Sequence, residues 1–355
     1  MKKEKKRTSI SSIGEFGLIE RLQKKIIQNN PQTIQGIGDD SAVIKSPKDQ
    51  EILISTDVLF EGIHFDTTYM SLSHIGYKSV IVNLSDLYAM NAMPSQITIS
   101  LGISSKYCVE DIESLYEGIN RAAKNYKVNV VGGDISGSYA GLVINVTVVG
   151  FQKKNQIFYR NGAKKGDLIV VSGDLGSSFL GLKILQREKE VLTEHKIPKL
   201  AINEIEHKLG EYKYLIQRQV KPEAKREVIN YLKEKNIKPT SMIDVSDGLC
   251  SDLNHISKAS GLGYNIMESK IPIHQQTKNA SLDFNIDPIA AALYGGEDYE
   301  LLFTIPPQQK KLINQADGLS IIGKLTDFKY KQTITKLQGG VVSINSQGWD
   351  HFKNT

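Results

Sequence analysis

Acidic residues recur beside Gly, Ser or Thr, each time just past an apolar run. GIGDDSAV holds Asp39 and Asp40, and EILISTDVLF holds Ser55, Thr56 and Asp57. VNLSD sets Asn83 and Asp86 three apart, the spacing of one helix face. VVGGD gives Gly133 and Asp134, IDVSD gives Asp244, Ser246 and Asp247, and YGGEDYE gives Glu297 and Asp298. Taken singly, an Asp in such a place is an ordinary helix cap or turn residue. Asp39, Asp252 and Asp298 fit that description. As a set the carboxylates repel, and burying them unpaired is costly. Arg160 is the only arginine close in sequence to any of these motifs. Hard divalent cations are the remaining neutraliser, and Mg²⁺ takes oxygen ligands and bridges carboxylates to phosphates. The pattern therefore points to a Mg²⁺-dependent, phosphate-handling protein.

Other chemistries find no support. No GxxxxGK[ST] loop, GxGxxG turn, kinase triplet or GxSxG elbow occurs. The seven histidines show no ligand pair within one motif, which disfavours zinc. Cys108 and Cys250 stand far apart and are expected to be reduced core residues of a cytoplasmic protein. The net charge of +5 comes from scattered lysines without interleaved aromatics, so a solvated face is expected rather than nucleic-acid binding. No apolar run approaches the roughly 20 residues of a membrane span. The basic N-terminal stretch lacks the apolar segment of a secretory signal.

The elements that must position these acids follow from periodicity. EILISTDVLF alternates as a strand ending near Asp57. SLSHIGYKSVIVNLSDLYAMNAM runs as a helix, and QITISLGI as a strand. CVEDIESLYEGINRAAKNY is an amphipathic helix with Ile112, Leu115, Ile119 and Ala122 on one side. VNVVGGDIS reads as a strand entering a Gly-rich turn, and GLVINVTVVGF as a long strand. A helix with Phe16, Ile19, Leu22 and Ile26 inward precedes them. NGAKKGDLIVVSGDLGSS restarts the pattern with turn, strand and a loop opening a helix. Residues 187–235 look helical and charged, with little chemistry. SMIDVSDGLCSDLNHISKASG is strand, junction and helix with Leu249, Leu253 and Ile256 inward. At 355 residues two domains are expected, residues 14–155 and 156–355 after a basic tail of 1–13, in an α/β or α+β class.

The strings GIGDDSAV, STDVLFEGIHF, YKSVIVNLSDLYAMNAMP, VVGGDISGS, RNGAKKGD, MIDVSDGLCSDL and YGGEDYELLFT occur in this order. Together they resemble the thiamine-monophosphate kinase family, within the superfamily that includes aminoimidazole ribonucleotide synthetase, from about residue 14 to 352. The resemblance implies two α/β domains, the first pairing across a homodimer into a barrel-like sheet. It implies phosphorylation of thiamine monophosphate by ATP to thiamine diphosphate. It implies several Mg²⁺ ions on Asp40, Asp57, Asp86, Asp134, Asp244 and Asp247, with Ser55 and Thr56 assisting. Asp86, Asp134 and Asp247 would be central to catalysis. ATP would meet Gly133, Asp134, Arg160 and Ser246, with Tyr116 stacking on adenine, and thiamine monophosphate would meet His64, Glu297 and Trp349. Three features depart from the family: the basic tail, expected to be disordered, a longer 187–210 segment expected to be a surface helix pair, and Trp349 as the substrate aromatic.

Rival members of the superfamily fit less well. A selenophosphate synthetase needs a reactive cysteine in residues 1–40, where none occurs. A hydrogenase-maturation dehydratase needs a C-terminal cysteine, and this chain ends HFKNT. Aminoimidazole ribonucleotide synthetase and a non-catalytic nucleotide or thiamine binder remain as alternatives.

Overall fold

The computed structural model describes residues 8–9, 12–13, 18, 21–35, 43–194 and 210–344. Asp40, Trp349, the basic tail before Thr8, Phe16, Ile19 and residues 195–209 of the longer segment lie outside them. The chain adopts the mixed α/β architecture expected, as two compact units: Met1–Leu87 with Ala92–Ile157, and Tyr88–Asn91 with Phe158–Thr355. Among the described residues no helix is long and apolar enough to cross a membrane.

The first unit begins with a small antiparallel pair, β1 (Thr33–Gln35) and β2 (Val43–Ile44). Its main sheet has four strands: β3 (Glu51–Phe60), β4 (Met93–Ile103), β5 (Asn129–Gly137) and β6 (Val143–Gln152), in the order β3-β6-β4-β5. Only β4 and β5 run parallel. Alternation decides the faces: Leu53 and Leu59 are buried, while Ile52, Ile54 and Val58 on the other face stay exposed. On β6 the same rule buries Ile144, Val146 and Val148. Among the described residues the long helices of this unit are α1 (Leu72–Ala89) and α2 (Val109–Tyr126). They meet backbone to backbone: a Cβ on Gly118 would lie 1.8 Å from the Ser73 carbonyl oxygen, and one on Gly76 2.0 Å from that of Leu115. α1 is buried from Ile75 to Ser85, the pattern of a central helix rather than a surface one.

Two strands outrun their sequence signals. β3 continues three residues past Asp57 to Phe60, and β5 runs through Gly132, Gly133 and Asp134 to Gly137. Asp57 and Asp134 are therefore ladder residues and not strand-end residues. The pairing of β3 with β6 along its whole length, from Glu51 to Phe60, overrides the local Asp signal.

The second unit is built on β7 (Leu168–Ser172), β8 (Ser241–Val245), β9 (Leu262–Met267), β10 (Glu300–Ile305), β11 (Leu319–Asp327), β12 (Gln332–Thr335) and β13 (Val341–Ser343). Their order is β13-β12-β9-β11-β7-β10-β8. β10 sits between β7 and β8 and is buried at every residue. The helices are α3 (Ser177–Glu194), α4 (Lys213–Val220), α5 (Arg226–Glu234), α6 (Leu249–Ser260), α7 (Gln275–Asp283) and α8 (Pro288–Tyr294). Leu249, Leu253 and Ile256 of α6 join Ile243, Val245, Leu302 and Tyr264 in the main core. A separate small core of Leu180, Ile184, Leu215, Ala280 and Ala291 lies among α3, α4, α7 and α8.

Candidate active site

In the first unit, Ser55 and Asp57 lie two apart on β3 and share a face. Asn83 and Asp86 lie three apart on α1 and share another. The two faces meet. The Asp57 backbone N–H donates to Asn83 Oδ1 (3.0 Å), and Ser55 Oγ donates to Asp86 Oδ2 (2.5 Å). Asn83 is fully buried and is anchored in turn by its amide, which donates to the Ser79 carbonyl (3.0 Å). Burial, and then the charge of Asp86, push the Asp57 carboxyl up to about 6. The side chains of Asp57, Asp86 and Ser55 offer a metal only oxygen atoms, a set suited to a hard cation.

Thr56 turns to the other face, where its hydroxyl lies 2.9 Å from Thr147 Oγ1 and 3.2 Å from the Val146 carbonyl. Its side chain thus stays out of the Asp57–Asp86 group. Asp134 is exposed and pairs in register with Ser100, whereas Asp57 aligns across the sheet with Val146, Ile99 and Gly133. Gly133 is needed where it stands: a Cβ there would lie 1.9 Å from the Ile99 carbonyl oxygen. Tyr116 is 6% exposed on the inner face of α2, so a base stacked flat on its ring would need that face to open.

His64 follows β3. Its Nδ1 accepts the Phe60 backbone N–H (3.0 Å), which requires the neutral ring with its proton on Nε2. The same loop is tied by Glu61, which accepts from Tyr107 Oη (2.9 Å), Thr67 Oγ1 (3.1 Å), the Leu142 N–H (2.8 Å) and Lys106 Nζ. Sequence reading gave Glu61 no role, because its four partners come from three other segments.

In the second unit, Asp244 is the penultimate residue of β8, 3% exposed. Asp247 follows at the head of α6, and its backbone N–H donates to Asp252 Oδ2 (3.2 Å). One ligand atom each from Asp247, Asp252 and His255 lie within 4.8 Å of one another. Asp252, expected to be only a cap or turn residue, is instead buried beside two acids. Burial, then Asp244 and Asp247, raise its carboxyl well above the usual range. Its i, i+3 spacing to His255 on α6 was the signal available. Burial and the charge of Arg160 lower the His255 imidazole, with Asp247 opposing, so Arg160 acts on this cluster.

The loop before β10 is bound to the same region. Glu297 adopts φ 57° and donates its N–H to the Ser246 carbonyl (2.7 Å), and the Tyr299 N–H donates to that of Val245 (2.8 Å). Gly248, at φ 107°, passes 3.0 Å from the Leu293 carbonyl as judged by its missing Cβ. Glu297 Oε2 accepts from Gln219 Nε2 (2.7 Å). Asp298 is no turn residue. It accepts the N–H groups of Gly176 (2.8 Å) and Ser178 (3.3 Å) at the start of α3. Burial pushes its carboxyl up to about 7, against the pull of Arg218. Arg218 also pairs with Glu300 (2.9 Å), which Lys225 (2.7 Å) and Ser172 Oγ (2.5 Å) join. The 187–235 segment, expected to carry little chemistry, thus supplies Arg218, Gln219 and Lys225. Arg160 is also not the only arginine beside the acidic motifs once the chain is folded.

The family AIR synthase related protein, N-terminal domain, matches residues 38–152. A thiamine-monophosphate kinase of Aquifex aeolicus is 35% identical over 97% of this chain and 99% of its own length. That of Bacillus subtilis is 31% identical over 96% and 99%. Among solved structures, AaThiL complexed with AMPPCP and TMP superposes with TM-score 0.71 at 33% identity, covering 96% of this chain and 98% of that one. The hydrogenase maturation protein HypE in complex with ATP gives 0.69 at 18% identity over 92% and 95%, a likeness of fold.

Proposed function

The chain belongs to the thiamine-monophosphate kinase family, and on that premise we propose how its residues carry out ATP-dependent phosphorylation of thiamine monophosphate to thiamine diphosphate. The observation that carries the activity is the match to kinases of that name over nearly their whole length, together with a relative of known structure that holds an ATP analogue and TMP. The direct assay incubates the protein with ATP, Mg²⁺ and thiamine monophosphate and follows ADP and thiamine diphosphate. Failure to form either product, with the protein folded, rejects the activity.

The acceptor is already an anionic phosphate oxygen, so alignment and charge neutralisation suffice and no strong general base is needed. Mg²⁺ fits the oxygen-only donor set of Asp57, Asp86 and Ser55, and when bound it neutralises phosphate charge beside those carboxylates. Asp40 and Asp134, and separately Asp244 and Asp247 of the second unit, are candidate ligands of further Mg²⁺ ions. Ser55 and Asn83 fix the orientation of Asp86 and the backbone of Asp57. In the second unit, Arg160 offers its fork of donors to ATP phosphates, with Ser246. His64, with its proton on Nε2, serves as a neutral donor to the substrate phosphate. Glu297 and Trp349 are assigned to the cationic thiamine portion.

Transfer runs in line, without a phosphoenzyme. Inversion at a chirally labelled γ-phosphorus is the expected result, and retention refutes it. The face of the four-stranded sheet that exposes Ile52, Ile54, Val58 and Met93 supports a homodimer built through that sheet. Sedimentation should give twice the chain mass, and Ile54→Lys should return the monomer. The use of ATP and thiamine monophosphate by its relatives supports a cytoplasmic location.

A further inference from the structure

We propose that Gln219 is a positioning residue for the substrate, setting the Glu297 carboxylate against thiamine monophosphate; this rests on the assignment of Glu297 to that substrate. Gln219 is 1% exposed on α4, and both ends of its amide are used. Nε2 donates to Glu297 Oε2 at 2.7 Å, and Oε1 accepts from Ser178 Oγ at 2.5 Å. The polarity is set by chemistry. An ionised carboxylate only accepts, so the NH₂ group must face Glu297 and the carbonyl must face the hydroxyl.

Each end of this relay is itself fixed. The Ser178 N–H donates to the buried Asp298 at the first turn of α3. Asp298 in turn is held by Arg218, the residue before Gln219. The Glu297 main chain is pinned in the left-handed region with its N–H on the Ser246 carbonyl. Its backbone thus follows the Ser246–Asp247 loop, and its side chain follows α4. A charged group held at both ends loses little rotamer freedom when it meets a cationic ligand, and the saving appears as affinity. A packing-only role is the competing explanation, since Gln219 also fills the crossing of α3 and α4 beside Gly181.

The test uses the full-length enzyme and a double-mutant cycle. Gln219→Met keeps length and volume and removes the amide. It should raise the KM for thiamine monophosphate about tenfold, the lower end of what a hydrogen bond to a charged group contributes. The KM for ATP should stay within about twofold, because packing loss alone does not single out one substrate. In a Glu297→Gln background the same change should add almost nothing. Ser178→Ala, which frees the amide without emptying the site, should show the same substrate-selective rise on a smaller scale, and it serves if Gln219→Met does not fold. Equal changes for both substrates, an additive cycle, or unchanged kinetics overturn the proposal. If Glu297→Gln raises the KM for thiamine monophosphate while Gln219→Met does not, only the relay falls. If Glu297→Gln itself leaves that KM unchanged, the Glu297 assignment falls with it.

Discussion

In the first unit, Asp57 and Asp86 are crowded together and oriented by neutral groups, the hydroxyl of Ser55 and the amide of Asn83. In the second unit, Asp298 and Glu300 are more deeply buried, and Arg218 and Lys225 reach them directly. Both pairs look alike in sequence, as acids beside small residues. Side chains of the protein's own cations make the second pair part of the scaffold. The oxygen atoms of Asp57, Asp86 and Ser55 make the first group a set suited to an external cation. On the assignment proposed above, the identity of the groups around an acid, more than its burial, separates the proposed ligand set from a structural network.

The comparison breaks most visibly through Arg218. Arg218→Met strips the guanidinium from two buried carboxylates and should cost about 3–5 kcal/mol of stability, read by denaturant unfolding. A variant as stable as the parent would mean that the second pair does not depend on its own cation. Asp86→Asn should do the reverse, lowering turnover about a hundredfold at saturating Mg²⁺ while the melting temperature stays close to the parent. Near-normal turnover would remove Asp86 from the ligand set. Ser55→Ala should weaken activity about tenfold through the orientation of Asp86, with the loss appearing as a higher Mg²⁺ requirement.

The last prediction concerns pH. Burial pushes the Asp298 carboxyl up to about 7 in the folded chain, from the ordinary carboxyl value of 3.8. Its folded form holds a proton that its unfolded form releases, so its contribution favours folding at low pH and is lost as pH rises from about 4 to about 7. Asp298→Asn should flatten the pH dependence of stability in that window. An unchanged slope would mean that Arg218 keeps Asp298 ionised throughout.

The sequence made one part of this legible and hid another for a physical reason. Asp57, Asp86, Asp244 and Asp247 sit in contiguous strings where strand and helix periodicities predict their elements, and those elements formed. Thr56 shows the limit of a string: one step along a strand turns a side chain to the other face. Asp252 and Glu61 were overlooked because their importance comes from burial and from distant partners. Gln219 meets Glu297 across 78 residues and Arg218 meets Glu300 across 82, separations that no local pattern encodes. Asp134 was placed in a turn because Gly-Gly signals one, yet pairing with β4 carried the strand through both glycines.

Glu297 keeps a side chain where the backbone prefers a glycine, since φ 57° costs a non-glycine residue about 1–3 kcal/mol. An engineer screening this chain for heat tolerance would therefore meet Glu297→Gly among the early winners. Such a campaign would relax the loop and discard its carboxylate together, so on the role proposed for Glu297, hardiness selected blindly at this position should arrive with a weakened hold on the vitamin substrate.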